Sequence, residues 1–279
     1  MSATRKNLFV ISLLLLVASC KGDARQQDVS FNLSRPLGQR NAYAMKYDFR
    51  HEEVYEDPDT NEVKSEVNEE VWNAQMETEV TDQGPDGSWT LVTRFTKVDV
   101  KSNGESDEET NKAWTGQTFT TRRDKDGRLS GALEAGEELN NDFRQRMVLM
   151  DPTMLMPSGP IKAGASWPIY VTHTIQKGEV PVVQTLRGTG TLKEVKDGRA
   201  VLDFVFTSEI SMASPEASEE AAVWIADCTS TATYDLAKSR FTNNKIDMTI
   251  ETPGDVLEDN PNLIKVIITS LMQFDLVGE

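Results

Sequence analysis

Side chains that could do chemistry are few in this chain. Cysteine occurs at Cys20 and Cys228, and histidine at His51 and His173. Cys20 closes a patterned segment: Arg5 and Lys6, then an apolar run from Leu8 to Val17, then Val17-Ala18-Ser19-Cys20. A positive start, a short apolar stretch and small residues before a cleavage point are the marks of a secretory signal peptide. The run is well short of the roughly 20 apolar residues that a bilayer core requires, so it reads as a leader and not as a span.

Val17-Ala18-Ser19-Cys20 resembles the lipobox of bacterial lipoproteins. That resemblance implies cleavage between Ser19 and Cys20, acylation of the Cys20 sulfur with a palmitate-type chain, and attachment to a membrane outside the cytoplasm. A single acyl chain binds marginally, at about 0.8 kcal/mol per buried CH2, so several chains together are what would hold such a domain firmly. In enterobacterial lipoproteins an aspartate after the cysteine favours the inner membrane. Lys21 stands there instead, which implies the outer membrane, on its periplasmic or surface face.

Cleavage would remove two cations and no acid, moving the formal charge from −16 to −18. Such an excess repels nucleic-acid phosphates and anionic lipid surfaces, which argues against a nucleic-acid partner. About 260 remaining residues, 38% of the chain being hydrophobic, suffice for a real core without disulfide staples. With Cys20 acylated, Cys228 has no partner within the chain. It lies in an alternating run in which Trp224, Ala226, Cys228, Ala232 and Tyr234 share one face, the setting of a buried structural thiol.

The usual catalytic patterns are missing. Two histidines in strand-like polar runs offer no base for a nucleophile, and no Gly-x-Ser-x-Gly occurs. Two histidines and one free cysteine supply no zinc ligand set, and no cofactor is expected. Asp57-Pro58-Asp59-Thr60-Asn61 begins like an EF-hand loop, but Glu62 holds the position that requires glycine and Asn68 the one that requires glutamate, so a hairpin turn is predicted. Gly188-Thr189-Gly190 is too short for a nucleotide fingerprint and sits in a strand. A hydrolase would have to rest on two of the 45 acids converging with raised pKa.

The elements that would position these groups are mainly strands. After the signal peptide (1–19), residues 20–40 read as a lipidated N-terminus and flexible tether, and 41–279 as one antiparallel β-rich domain. Tyr43, Met45, Tyr47 and Phe49 alternate with polar residues, and a second strand places Val63, Val67 and Val71 on one face. Trp89, Leu91 and Phe95 share a face of a third. Lys101 to Lys112 reads as a solvated acidic loop. Asp126-Gly127 marks a hairpin between 113–123 and 128–133. From Glu134 to Met150, Leu139, Phe143, Met147 and Met150 recur at helical spacing and predict a crossing helix. Strands resume at Gly164-Ala165-Ser166-Trp167 and run to Ile250. In the last segment, Leu263, Ile267, Leu271 and Phe274 predict a helix over 262–277, while its β-branched residues favour a strand. Residues 79–97 and 192–210 look alike, suggesting pseudo-repeats over 41–133 and 164–253 on either side of the helix.

A lipobox followed by long antiparallel strands and one crossing helix resembles the half-barrel envelope lipoproteins of the lipoprotein-carrier type. The Gly164-x-Ser166-Trp167 opening and the Asp-Gly turns resemble a group of uncharacterised bacterial secreted proteins. The fold class expected is therefore mainly β, a curved sheet or open half-barrel. The soft apolar residues Phe143, Met147, Met150, Met154 and Leu155 are the candidate ligand contacts. The function expected is non-enzymatic binding of an apolar ligand or lipid at a membrane. Docking to another envelope protein through a sheet edge or the acidic face is the alternative.

Overall fold

The computed structural model describes residues 28–130, 134–135, 152–177, 180–212, 223–253 and 262–277. They form one large antiparallel sheet that does not close. The strands are β1 (Arg40–Glu56), β2 (Val63–Gln83), β3 (Trp89–Ser102), β4 (Glu105–Ser106), β5 (Thr118–Arg123), β6 (Glu134–Ala135), β7 (Ser166–Lys177), β8 (Val180–Lys196), β9 (Arg199–Met212), β10 (Val223–Asp235), β11 (Arg240–Pro253) and β12 (Leu263–Leu276). Their order across the sheet is β6-β5-β3-β2-β1-β12-β11-β10-β9-β8-β7, with β4 a side pair on β3. Two meanders thus meet where β1 pairs with β12.

The last strand corrects the helix predicted over 262–277. β12 is ladder-bonded on both sides, Tyr47 facing Met272 in β1 and Ile246 facing Met272 in β11. Its apolar residues occupy both faces, Leu263, Ile267 and Leu271 lying out of phase with the buried Val266 and Met272, and this two-sided apolar run imitates a helical stripe. Met272 faces the core and is 3% exposed.

The acidic loop expected over 101–112 is also corrected. Asn103 and Gly104 both take positive φ, making a tight turn, and a short helix α1 (Glu108–Trp114) follows. Asp107 caps it, its carboxylate accepting from the Thr110 amide at 3.0 Å and the Thr110 hydroxyl at 2.7 Å. The helix is anchored by Trp114, whose ring meets Trp72 and Phe95 edge-on at 5.3 and 5.6 Å. Asn111 adds a hold on the sheet, its Oδ1 accepting from the Val100 amide at 2.6 Å.

On β2 the inward face is Trp72, Ala74, Met76, Thr78 and Val80, and Val63, Val67 and Val71 have the opposite parity, Val63 being 67% exposed. Residues 28–39, expected as tether, lie against the sheet. Val29 and Ile161 exchange backbone hydrogen bonds at 2.8 and 2.9 Å, Phe31 meets Tyr234 edge-on, and Leu33 is buried. The helix predicted over 134–150 falls outside the described residues except at Glu134 and Ala135, which pair with β5.

The hairpins β2–β3 and β8–β9, which carry the two look-alike segments, each contain an extra residue on the first strand just before the turn. The second pair owes its packing to two glycines. In register, Gly190 lies between Trp167 of β7 and Phe204 of β9, and the Trp167 ring folds over the glycine to meet Phe204 at 6.0 Å. A Cβ at Gly190 would lie 2.3 Å from that indole, and one at Gly188 would lie 2.2 Å from the Val205 carbonyl oxygen. We predict that Gly190→Ala and Gly188→Ala each cost about 1–3 kcal/mol by overpacking. Gly188→Ala should be the worse, because backbone cannot swing aside as a side chain can. Urea denaturation checks this, and two variants as stable as the parent would refute the close packing.

Candidate functional site

β6 and β7 sit at opposite edges of the sheet, and the described residues of the chain joining them cross its inner face. The described end of that crossing is a 3-10 turn, Pro152–Leu155, in which Thr153, Met154 and Leu155 are buried. It is tied to both edges. Arg123 of β5 donates from Nη1 to the Thr153 hydroxyl at 2.6 Å, and Trp167 of β7 donates from Nε1 to the Leu155 carbonyl at 2.8 Å. The N-terminal arm crosses the same face. Its Gly38 amide donates to the Val80 carbonyl at 2.8 Å, and the Arg35 carbonyl accepts from Gln83 Nε2 at 3.0 Å.

Between these crossings and the sheet lies a partly open hollow of about 140 Å3. Its floor comes from five strands: Tyr43 of β1, Met76 of β2, Leu91 of β3, Phe241 of β11 and Phe274 of β12. Alternation explains the choice, since each of these residues lies on the inward face of its strand. Thr153 and Arg35 border it from the crossings and Leu129 from the turn after β5.

One wall is polar. On β3 and β5, Trp89 faces Arg123 and Leu91 faces Thr121, so the four make a square on the inner face. Arg35 and Arg123 each bring a guanidinium carbon to 5.9 Å from the Trp89 ring centroid, within cation–π range. Arg123 is 6% exposed and also donates to the Gly127 carbonyl at 3.4 Å. Trp89 is 3% and Thr121 7% exposed, yet among the described residues the Trp89 indole nitrogen and the Thr121 hydroxyl have no hydrogen-bond partner. Each such buried group costs about 1–3 kcal/mol relative to one that is met.

Of the residues predicted as sites, Ser19, Cys20, Phe143, Met147 and Met150 lie outside the described residues. Met154 and Leu155 are 5% and 1% exposed and border a separate groove beside β7, not the hollow. The residues that do build the hollow's polar wall were not singled out by the sequence. Their only trace there is an arginine at the end of a strand, Arg123, opposite a tryptophan at the start of another. His51 lies half-exposed on β1, 3.7 Å from the Glu53 carboxylate. His173 belongs to β7, its side chain outside the described residues. Asp57 serves its hairpin turn: its carboxylate accepts from the Asp59 amide at 2.9 Å, from the Thr60 amide at 3.3 Å and from Lys64. The Lys64 ammonium, with those amides, holds the Asp57 carboxyl below its ordinary value.

Cys228 is on the inward face of β10, 3% exposed. Burial, with a smaller push from Asp227, raises its thiol to about 12. Burial likewise raises Tyr234 to about 12, with its hydroxyl donating to the Asn32 carbonyl. Both groups hold their protons more tightly folded than unfolded. Their contribution to stability is therefore complete below the unfolded values, about 8.5 for the thiol and 10 for the phenol, and is lost as pH rises from there toward 12. We expect native Cys228 to resist a thiol reagent at pH 8 and to react at once in denaturant. Unfolding midpoints should fall above pH 9, and less steeply in Cys228→Ala; a native thiol that reacts freely would contradict the burial. No protein-family model matches the chain and no curated protein is similar to it, so the reading of the hollow rests on its geometry.

Proposed function

We propose that the protein is a membrane-anchored lipoprotein of the bacterial envelope whose folded part binds an apolar ligand without chemically changing it. The observation that carries the binding reading is the hollow on the inner face, floored by apolar and aromatic side chains from five strands. Sites of this kind, concave and mostly apolar with a few placed polar groups, are where small ligands bind. Its volume resembles that of an engineered cavity of about 150 Å3 that takes up benzene. A compact apolar group fits it; the whole of a long acyl chain does not.

The anchor reading rests on Val17-Ala18-Ser19-Cys20 and on the residues that follow. Among the described residues, Val29 is the first fixed by backbone hydrogen bonds, to Ile161. Fully extended, the nine residues from Cys20 to Val29 reach about 30 Å. A lipid on Cys20 would thus keep the hollow close to the headgroups.

Labelled palmitate and the intact mass of membrane-extracted protein test the anchor. We expect a diacyl or triacyl mass on Cys20, and release of Cys20→Ala into the soluble fraction; an unmodified Cys20 overturns the proposal. For the hollow, an environment-sensitive apolar dye should bind once per chain. Thr93→Phe, which places a ring beside Phe119, should abolish that binding with far-ultraviolet circular dichroism unchanged. Equal dye binding by both proteins would place the site elsewhere.

A further inference from the structure

Resting on the reading of the hollow as a binding site, we infer that it is built for a small monocarboxylic acid. The apolar body would lie on Leu91, Phe119 and Phe241, and the carboxylate against Trp89, Thr121 and Arg35.

Three independent observations point to the head group. First, Trp89 Nε1 and the Thr121 hydroxyl are buried without partners among the described residues, and both residues line the hollow. An indole N–H can only donate, so whatever meets it must present an acceptor. Second, the ladder makes the two donors converge. Trp89 is opposite Arg123 and Thr121 opposite Leu91, so Trp89 and Thr121 are diagonal neighbours on one face, within the roughly 7–8 Å that long side chains bridge. An acceptor with two oxygens serves both. Third, the charge at the hollow is inverted relative to the chain. Acids outnumber lysine and arginine 45 to 29, yet among the described residues the lining holds Arg35 and Arg123 and no aspartate or glutamate.

The rest of the lining sets the body. Rings and methyl-bearing side chains dominate it, and about 140 Å3 admits one ring or a short chain. A second anionic group on the ligand would have to lie among those apolar residues, so a monoanion is selected over a dianion. Neutral apolar molecules would fill the floor and leave both donors unmet, which binds them less well.

Benzoate, toluene and benzylamine are near-isosteric probes of this inference, and binding to the mature chain can be followed by calorimetry and by the indole N–H resonances. We expect benzoate to bind once per chain, at least tenfold tighter than toluene, with benzylamine not binding. Benzoate should move the Trp89 indole N–H resonance, identified by its loss in Trp89→Phe, and its affinity should fall as pH is lowered and its carboxylate is protonated. Thr121→Val should weaken benzoate at least fivefold and leave toluene unchanged, while Thr121→Ser, which keeps the hydroxyl, restores benzoate. Arg35→Gln should weaken benzoate and flatten its salt dependence. If Thr121→Val does not fold, the Trp89 resonance and the pH dependence decide the matter in the parent protein. Toluene binding as tightly as benzoate would overturn the head-group inference and leave the apolar-site reading standing. Binding of neither probe, together with no dye binding, would remove both.

Discussion

An open sheet with its first and last edges unjoined has one structural problem, which is to bring the chain from one edge to the other. The strand order places β6 and β7 at opposite ends, and the described part of the link between them lies against the inner face. Two hydrogen bonds fix that passage, Arg123 to Thr153 and Trp167 to Leu155. The donors belong to strands at either end of the sheet and the acceptors are two residues apart. Curvature, burial of the inner face and the position of the hollow all follow from this clasp. The N-terminal arm reinforces it by pairing with Ile161 at one end and holding Val80 and Gln83 at the other.

The two halves beneath the clasp are filled differently. In the β7–β10 half, large side chains interlock, with Leu186, Leu192, Leu202 and Phe204 at most 1% exposed. Gly188 and Gly190 make this possible by omitting side chains where Phe206 and Trp167 lie. In the β1–β5 half, the rings of Trp72, Trp114 and Phe95, meeting edge to face, occupy one end of the strands. At the other end threonines take the inward positions Thr78, Thr93 and Thr121. Small polar side chains there leave room that rings would have filled. Well-packed interiors hold few voids larger than a water molecule, so a hollow confined to the threonine-bearing end marks a place where filling was not required.

Strand content was legible in the sequence because alternation is a local signal. Tyr43, Met45, Tyr47 and Phe49, or Ala200, Leu202, Phe204 and Phe206, are spaced by the pleat itself. Reading failed where the signal came from a neighbour. β12 carries apolar residues on both faces, and only its two ladders mark it as a strand. The helix over Glu108–Trp114 was hidden in a charge run whose informative residues were the cap Asp107 and the turn Asn103-Gly104. Met154 and Leu155 were identified as apolar and soft, which they are, but their place beside β7 depends on a crossing that only the strand order reveals. The polar wall was least legible of all. Trp89 and Arg123 are 34 positions apart, and nothing short of the β3–β5 register brings them together.

That wall also gives the chain's acidity a meaning. Among the described residues no aspartate or glutamate is buried, whereas Arg123 is. Strand alternation has sorted charge by face, placing acids outward and a cation inward. At physiological salt, fields from the outer acids fade over about 8 Å, while a guanidinium within a low-dielectric hollow acts almost unscreened. An anion approaching the surface is therefore repelled weakly and at short range, and attracted only once inside. Repulsion scales with the ligand's charge while the apolar floor rewards its hydrocarbon area, so both terms favour one negative charge over two on a largely apolar body. This sorting needs no dedicated loop or metal; it follows from the period of the strand and the register of two hairpins.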